Sequence, residues 1–160
     1  MAPRRRPKRS IGIGQICSRI FRAPISNDRC DSRYPRGDLV SLFSDPRLGT
    51  AASAFIDETI AKGDHIGVSA ITLAEMVYLV EKGRIPPYAL SDLHAAIADP
   101  KTVLQHVPLD ENVAMKMREV SRQDIPDLPD RVIAATAQLR GVPVLSRDSR
   151  IRSSTIPTIW

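Results

Sequence analysis

Residues 128–148 read LPDRVIAATAQLRGVPVLSRD, and this stretch decides the predicted fold. A Pro near its start and Gly141 after a long apolar segment indicate a helix over residues 129–140. The run VPVLS that follows is typical of a buried strand. A helix that connects parallel strands runs against them, so it begins at the edge where the strands end. We therefore expect Asp130 and Asp148 to lie at one edge of a sheet.

Strand and helix patterns alternate through the rest of residues 38–160. The segments HIGVSA and TVLQHVPL predict strands, and SSTIPTIW allows a last short one. Between them, the sequence predicts helices over residues 49–62, 72–83, 87–100 and 110–124, with Asp110 as the N-cap of the last. This alternation indicates an α/β domain with a small parallel sheet.

A third acid, Glu75, lies early in the helix that follows the strand HIGVSA. Its neighbours four residues away, Ile71 and Leu79, place this carboxylate on an apolar stripe, where it needs a partner. Three carboxylates at one edge repel one another unless a divalent cation neutralises them. Oxygen ligands without a Cys or His set favour Mg²⁺ or Mn²⁺, and His65, His94 and His106 show no ligand spacing.

Each acid also has a purely structural interpretation. Asp130 fits the first turn of a helix capped by Asp127, and Asp148 fits a cap of the turn SRIRSS. Glu75 could instead reach solvent along the flank of its helix. Both interpretations stay open for all three residues.

Residues 1–37 differ from the rest of the chain in charge. They hold ten basic residues and two acids, whereas the whole chain has a net charge of +5, so residues 38–160 carry −3. We expect 1–37 to be a basic segment that is disordered or aberrant, with a nucleic-acid-binding arm or an organellar transit segment as alternatives. No apolar run is long enough to span a membrane, and a cytoplasmic location is expected.

Several motifs, taken in order, resemble the PIN domains of the VapC-type toxin–antitoxin class. The most specific is the stretch from Pro129 to Asp148, and the terminal Ile-Trp is a second. The resemblance covers about residue 39 to the end and includes SLFSDPRLG, VSAITLAEMVYLVEKGRI, VPLDENVA, DIPDLPDRVIAATAQLRGVPVLSRDSRI and TIPTIW.

This resemblance implies a three-layer α/β/α fold with a small, mostly parallel central sheet. It implies an Mg²⁺- or Mn²⁺-dependent ribonuclease whose catalytic and metal-binding acids are Glu75, Asp130 and Asp148. Ser146 matches the family's hydroxyl after the last of these strands. Expected partners are an RNA substrate, a cognate antitoxin protein and a second copy of the chain.

The sequence departs from the family at its first strand. Relatives end that strand with an Asp that supplies a main metal ligand, but the corresponding position here is near Pro35. Asp38 comes about three residues late, roughly 4.5 Å along a helix axis. Three explanations fit the missing Asp: a frameshift or misplaced start, a degenerate toxin, or the use of Asp38 in its place. Two alternatives therefore stay open. The protein is an active Mg²⁺- or Mn²⁺-dependent ribonuclease, or it is inactive because the first acidic ligand is missing.

Two function classes follow, an RNA-cleaving toxin and a PIN-like module that binds antitoxin or RNA without cleavage. A phospho-acceptor signalling domain also clusters acids at strand ends, but VLSRD offers no Lys at the late strand end that such a domain needs. Candidate RNA contacts, which could equally be solvated surface charges, are Arg131, Arg147, Arg150 and Arg152.

Overall fold

The computed structural model describes residues 20–23 and 49–160, which form one five-stranded sheet with helices packed against it. The strands are β1 (Ile20–Ala23), β2 (His65–Ser69), β3 (Leu104–Val107), β4 (Val144–Leu145) and β5 (Thr158–Ile159). The helices are α1 (Thr50–Ala61), α2 (Ala70–Glu81), α3 (Pro87–Ala98), α4 (Glu111–Lys116), α5 (Leu128–Arg140) and α6 (Ser149–Ser153), and a 3₁₀ helix (Met117–Glu119) follows α4. The order across the sheet is β3-β2-β1-β4-β5.

Four of the five strands run in the same direction. Strand β2 pairs in parallel with β3, and β4 pairs in parallel with β5. Strand β1 lies between β2 and β4 and is antiparallel to both, so β2 and β4 run alike. The expectation of an α/β fold with a mostly parallel sheet is therefore confirmed.

Side chains on opposite faces of the sheet enter two separate hydrophobic clusters. Adjacent residues of β4 show this, because Val144 belongs to one cluster and Leu145 to the other. The cluster on one face includes residues of α1, α2 and α3, and that on the other face includes residues of α4, α5 and α6. Helices thus cover both faces, and the three-layer α/β/α arrangement is confirmed.

Helix α4 is shorter than the sequence indicates. The predicted helix over residues 110–124 begins as expected, with Oδ1 of Asp110 accepting a hydrogen bond from the backbone N–H of Val113 (2.9 Å). After Lys116, however, the chain tightens into the 3₁₀ helix, and Val120 is extended. The prediction was wrong there because a buried Val120 leads the chain inward. No helix among the described residues is long and apolar enough to cross a membrane.

The turn between α5 and β4 follows from one glycine. Gly141 ends α5 in the left-handed conformation (φ 65°, ψ 35°), which other residues adopt at a cost. The backbone N–H of Val142 donates to the carbonyl of Ala137 (3.1 Å), so the reversal closes within three residues. Helix α5 packs against β1 and β4 and runs against the direction of β4, so its first turn lies toward the side of the sheet on which β4 ends.

Gly49, the N-cap of α1, packs directly against Trp160. A Cβ atom at Gly49 would lie 2.7 Å from the backbone carbonyl carbon of Trp160, so one of the two segments would have to move. The change Gly49→Ala is expected to destabilise the fold by about 1–3 kcal/mol, the usual range for overpacking. Denaturant unfolding measures this, with Ser53→Ala on the exposed side of α1 as the control. An equal midpoint for Gly49→Ala and the unmodified chain would contradict the contact.

Strand β1 lies within residues 1–37, the segment that the sequence sets apart from the domain. The other residues of that segment, together with Pro35 and Asp38, fall outside the described residues. The division at residue 37 thus stays a prediction. Because β1 is antiparallel, it begins at the edge where its neighbours end.

Candidate active site at the carboxyl edge of the sheet

The ends of β2, β3, β4 and β5 form one edge, which we call the carboxyl edge. Ser69 pairs with Val107, the last residue of β3, and Leu145 pairs with Ile159, the last of β5. Ile20 of β1 pairs with both Val68 and Leu145, which sets β2 and β4 at the same level. Open α/β sheets bind ligands at such an edge.

Glu75 is the sixth residue of α2, the helix that leaves the carboxyl edge after β2. The N-cap of α2 is Ser69, whose Oγ accepts a hydrogen bond from the backbone N–H of Ile71 (3.4 Å). At 1.5 Å per residue, Glu75 lies about 7.5 Å from the start of the helix. Its side chain is half-buried and its Oε2 atom is shielded from solvent. One carboxylate oxygen of Glu75 is therefore buried, while the side chain as a whole stays partly exposed on its helix.

Asp130 lies in the first turn of α5 and is buried, with 8% of its surface exposed. Asp127 is the N-cap, as the capping interpretation expects, but its side chain makes no capping hydrogen bond. The N-terminus of a helix stabilises negative charge in its first turn. The structural interpretation of Asp130 thus holds for its position, and its role as a ligand stays a prediction.

Arg131, next to Asp130, is a structural residue and not an exposed RNA contact. Its Nη2 donates to the carbonyl of Met117 (2.9 Å) and to that of Val120 (3.4 Å), where the 3₁₀ helix ends. The carbonyl of Met117 also accepts a hydrogen bond from the backbone N–H of Val120 (3.2 Å), so Arg131 is a second donor to it. Arg131 therefore ties the end of the 3₁₀ helix to the turn that carries Asp130, and it is removed from the candidate RNA contacts.

The change Arg131→Gln is expected to lower the free energy of unfolding by about 1–3 kcal/mol, because two hydrogen bonds from a charged donor to backbone carbonyls are lost. Denaturant unfolding with and without the change measures the effect. Arg140→Gln is the matched control, since Arg140 is on the same helix and forms no side-chain hydrogen bond with a described residue. A destabilisation of equal size in the two variants would contradict a stabilising role for the hydrogen bonds of Arg131.

Asp148 caps α6 and keeps one oxygen outside the cap. Its Oδ1 accepts hydrogen bonds from the backbone N–H groups of Arg150 (2.8 Å) and Ile151 (3.4 Å). Its Oδ2 accepts none from the described part of the chain. The capping interpretation is therefore confirmed, and it leaves half of this carboxylate for another partner.

Ser146, the hydroxyl residue singled out by the family resemblance, is fully buried at the end of β4. Its Oγ accepts a hydrogen bond from the backbone N–H of Asp148 (3.0 Å), and its own N–H donates to the carbonyl of Ile159 (3.2 Å). Ser146 thus fixes the turn that carries Asp148. It bonds to the backbone of Asp148 and not to the carboxylate, and it does not contact solvent.

The elements that carry Glu75, Asp130 and Asp148 meet at the carboxyl edge, and α2 packs against α5. Hard oxygen donors of this kind suit Mg²⁺ or Mn²⁺. Yet within residues 20–23 and 49–160 no group of three or more His, Cys, Asp or Glu side chains is placed to hold a metal ion. Carboxylate oxygens are suitable ligands for a divalent metal, but the described side chains are not grouped closely enough to hold one. The assignment of these acids as metal ligands remains a prediction.

The model of one known family, the PIN domain, matches residues 39–154. Since the match covers more than half of the chain, the protein belongs to the PIN-domain family. PIN domains are nucleases that in general depend on divalent metal ions, so the carboxyl edge is the candidate nuclease site. Comparisons with curated proteins and with solved structures gave no match. Strand β1 lies outside the matched range.

Proposed function

We propose that the protein is a metal-dependent endoribonuclease that cleaves RNA phosphodiester bonds as the toxin of a toxin–antitoxin pair. The observation that carries this proposal is the α5–β4 return, with Asp130 in the first turn of α5 and Asp148 after β4 as the N-cap of α6. Glu75 lies in α2, which begins where β2 ends and packs against α5. These three residues would hold Mg²⁺ or Mn²⁺.

Bound there, the metal would activate a water molecule and neutralise charge on the phosphodiester. The chain's own residues supply position. Asp130 is held by the first turn of α5, which Arg131 fastens to the 3₁₀ helix. Asp148 is oriented by its capping bonds and by the hydrogen bond from its backbone N–H to Oγ of Ser146. Such fixed geometry lowers the cost of aligning water and phosphate.

A second candidate is a PIN-like module that binds RNA or antitoxin without cleaving RNA. Two observations favour it. The sheet position between β2 and β4 is filled by an antiparallel strand, which begins at the carboxyl edge and so cannot end there with an acid. No cluster of three metal-binding side chains forms among the described residues.

We also propose an antitoxin protein and a second copy of the chain as partners, acting in the cytoplasm. Large apolar side chains support a protein-binding surface, because Tyr78 of α2 is 56% exposed and Leu128 of α5 is 60% exposed. Sedimentation of the purified chain tests the homodimer. A monomer throughout the micromolar range would contradict it.

Cleavage of a structured RNA by the purified chain decides between the two functions. A nuclease cleaves with Mg²⁺ or Mn²⁺ and stops in EDTA, and the variants Glu75→Gln and Asp130→Asn lose that activity. No cleavage by the unmodified chain at any metal concentration would favour the binding module. Equal cleavage by the chain and both variants would refute the assignment of the site.

A further inference from the structure

Three arginines next to the candidate site have no partner in the described structure. Arg147, Arg150 and Arg152, here called the α6 arginines, are all exposed. Their guanidinium groups form no ion pair or hydrogen bond with a described residue, whereas Nη2 of Arg131 donates to two backbone carbonyls. Unpaired cations beside an acidic site are available to an anionic ligand.

The backbone that carries these arginines is held at both ends. Asp148 caps the start of α6, and the hydroxyls of Ser153 and Ser154 donate to the carbonyls of Arg150 (3.2 Å) and Ile151 (2.6 Å). Ile151, between Arg150 and Arg152, is fully buried and anchors the helix to the core. The backbone that carries the α6 arginines is therefore already ordered, which reduces the entropy cost of binding a ligand.

The local charge is opposite to that of the domain. Residues 49–160 hold 12 basic and 14 acidic side chains, a net charge of −2. After Asp130, however, the chain has five arginines, no lysine and a single acid, Asp148. Arginine binds phosphate oxygens with two parallel hydrogen bonds, which lysine cannot do. An RNA strand that approaches Asp130 and Asp148 would be repelled unless cations next to them bound its phosphates.

We infer that the α6 arginines bind the phosphate backbone of the RNA on the Asp148 side of the candidate site. This inference rests on the proposed ribonuclease function and adds the position of the RNA strand relative to the site. The contacts are made to phosphates, so they position the strand without selecting its sequence.

The test is the binding of a fluorescent single-stranded RNA of mixed sequence in EDTA, followed by anisotropy at several salt concentrations. The triple variant Arg147→Gln, Arg150→Gln, Arg152→Gln is expected to raise Kd at least ~10-fold. It should also reduce the slope of log K against log salt by about 2, since each phosphate contact in a single strand contributes roughly 0.7.

The matched control removes three cations from the opposite edge of the sheet, where α2, α3 and α5 end. Arg84, Lys101 and Arg140 follow or close those helices, and all three are changed to Gln. This control should change Kd less than about threefold, because its charges lie a helix length, roughly 18 Å, from the carboxyl edge. Equal effects in both triples, or no effect in either, would overturn the inference.

Two further measurements keep the outcome clear. Each single variant, Arg147→Gln, Arg150→Gln or Arg152→Gln, should reduce the salt slope by about 0.7, which tests the inference even if the triple variant unfolds. A chain that binds RNA through these arginines but never cleaves it contradicts the ribonuclease and leaves the inference intact. A chain that cleaves RNA with unchanged affinity in the triple variant overturns the inference alone.

Discussion

Replacing Asp130 with Asn should lower the rate of RNA cleavage at least about 100-fold. A metal ligand that loses its charge forfeits several kcal/mol of transition-state stabilisation, and 2.7 kcal/mol already corresponds to roughly 100-fold. The fold should survive, because Asn has the same shape and the first turn of α5 loses about 0.3–1 kcal/mol of charge stabilisation. Single-turnover cleavage with a titration of Mg²⁺ measures the loss, and circular dichroism checks the fold.

The neighbouring acid Asp127 provides the matched control. It is the exposed N-cap of the same helix, and its side chain makes no capping hydrogen bond. Asp127→Asn therefore removes an equal charge three residues away without touching the buried carboxylate, and cleavage should stay within about twofold of the parent chain. Glu75→Gln should match Asp130→Asn in its loss of activity, within the same order of magnitude. If Asp127→Asn were as damaging as Asp130→Asn, general charge at the helix end would explain the effect and Asp130 would be no ligand.

The helices and strands that show a clear hydrophobic period and are bounded by proline or glycine were predictable from the sequence. Helix α5 and strand β4 appear where Pro129, Gly141 and the run VPVLS indicate them, because a proline near the start and a left-handed glycine at the end leave few alternatives. The same holds for α3, which begins at Pro87. These local signals were enough to predict that Asp130 begins the helix and that Asp148 follows the strand.

Features that depend on distant contacts were not predictable. Helix α4 stops at Lys116 although its helical pattern continues. Beyond it, Val120 is buried, and the carbonyls of Met117 and Val120 accept hydrogen bonds from Arg131, 11 to 14 residues along the chain. Spacing alone marks Arg131 as one more basic residue near the site. The half-buried position of Glu75 likewise depends on packing against other elements.

The middle strand is the clearest case. Residues 20–23 form β1 with β2 and β4, although the surrounding basic composition favours disorder. A four-residue strand carries too few residues for a reliable periodic signal, and its partners are more than 40 residues away in sequence. The prediction that the family's usual first strand lacks its acid concerns residues outside the described ones and stays a prediction. The sequence could not indicate which residues occupy that position in the sheet.

Asp148 allows capping and metal binding to be measured separately. Asn and Ser are as effective as Asp at an N-cap, so Asp148→Asn and Asp148→Ser should leave the free energy of unfolding within about 0.5 kcal/mol of the parent chain. Both variants lack the carboxylate whose Oδ2 atom remains outside the cap, and cleavage should fall at least about 100-fold. Asp148→Ala should lose the same activity and a further 0.5–2 kcal/mol of stability, roughly the value of a cap.

Asp110 is the control for this dissection, because it caps α4 at the same carboxyl edge in the same way. Its Oδ1 accepts a hydrogen bond from the backbone N–H of Val113, and it belongs to none of the predicted ligands. Asp110→Asn should leave both stability and cleavage unchanged, and Asp110→Ala should reduce stability alone. Denaturant midpoints and single-turnover rates on the six chains separate the two roles. Full activity in Asp148→Asn would reduce Asp148 to a helix cap, and the candidate site would then consist of Glu75 and Asp130.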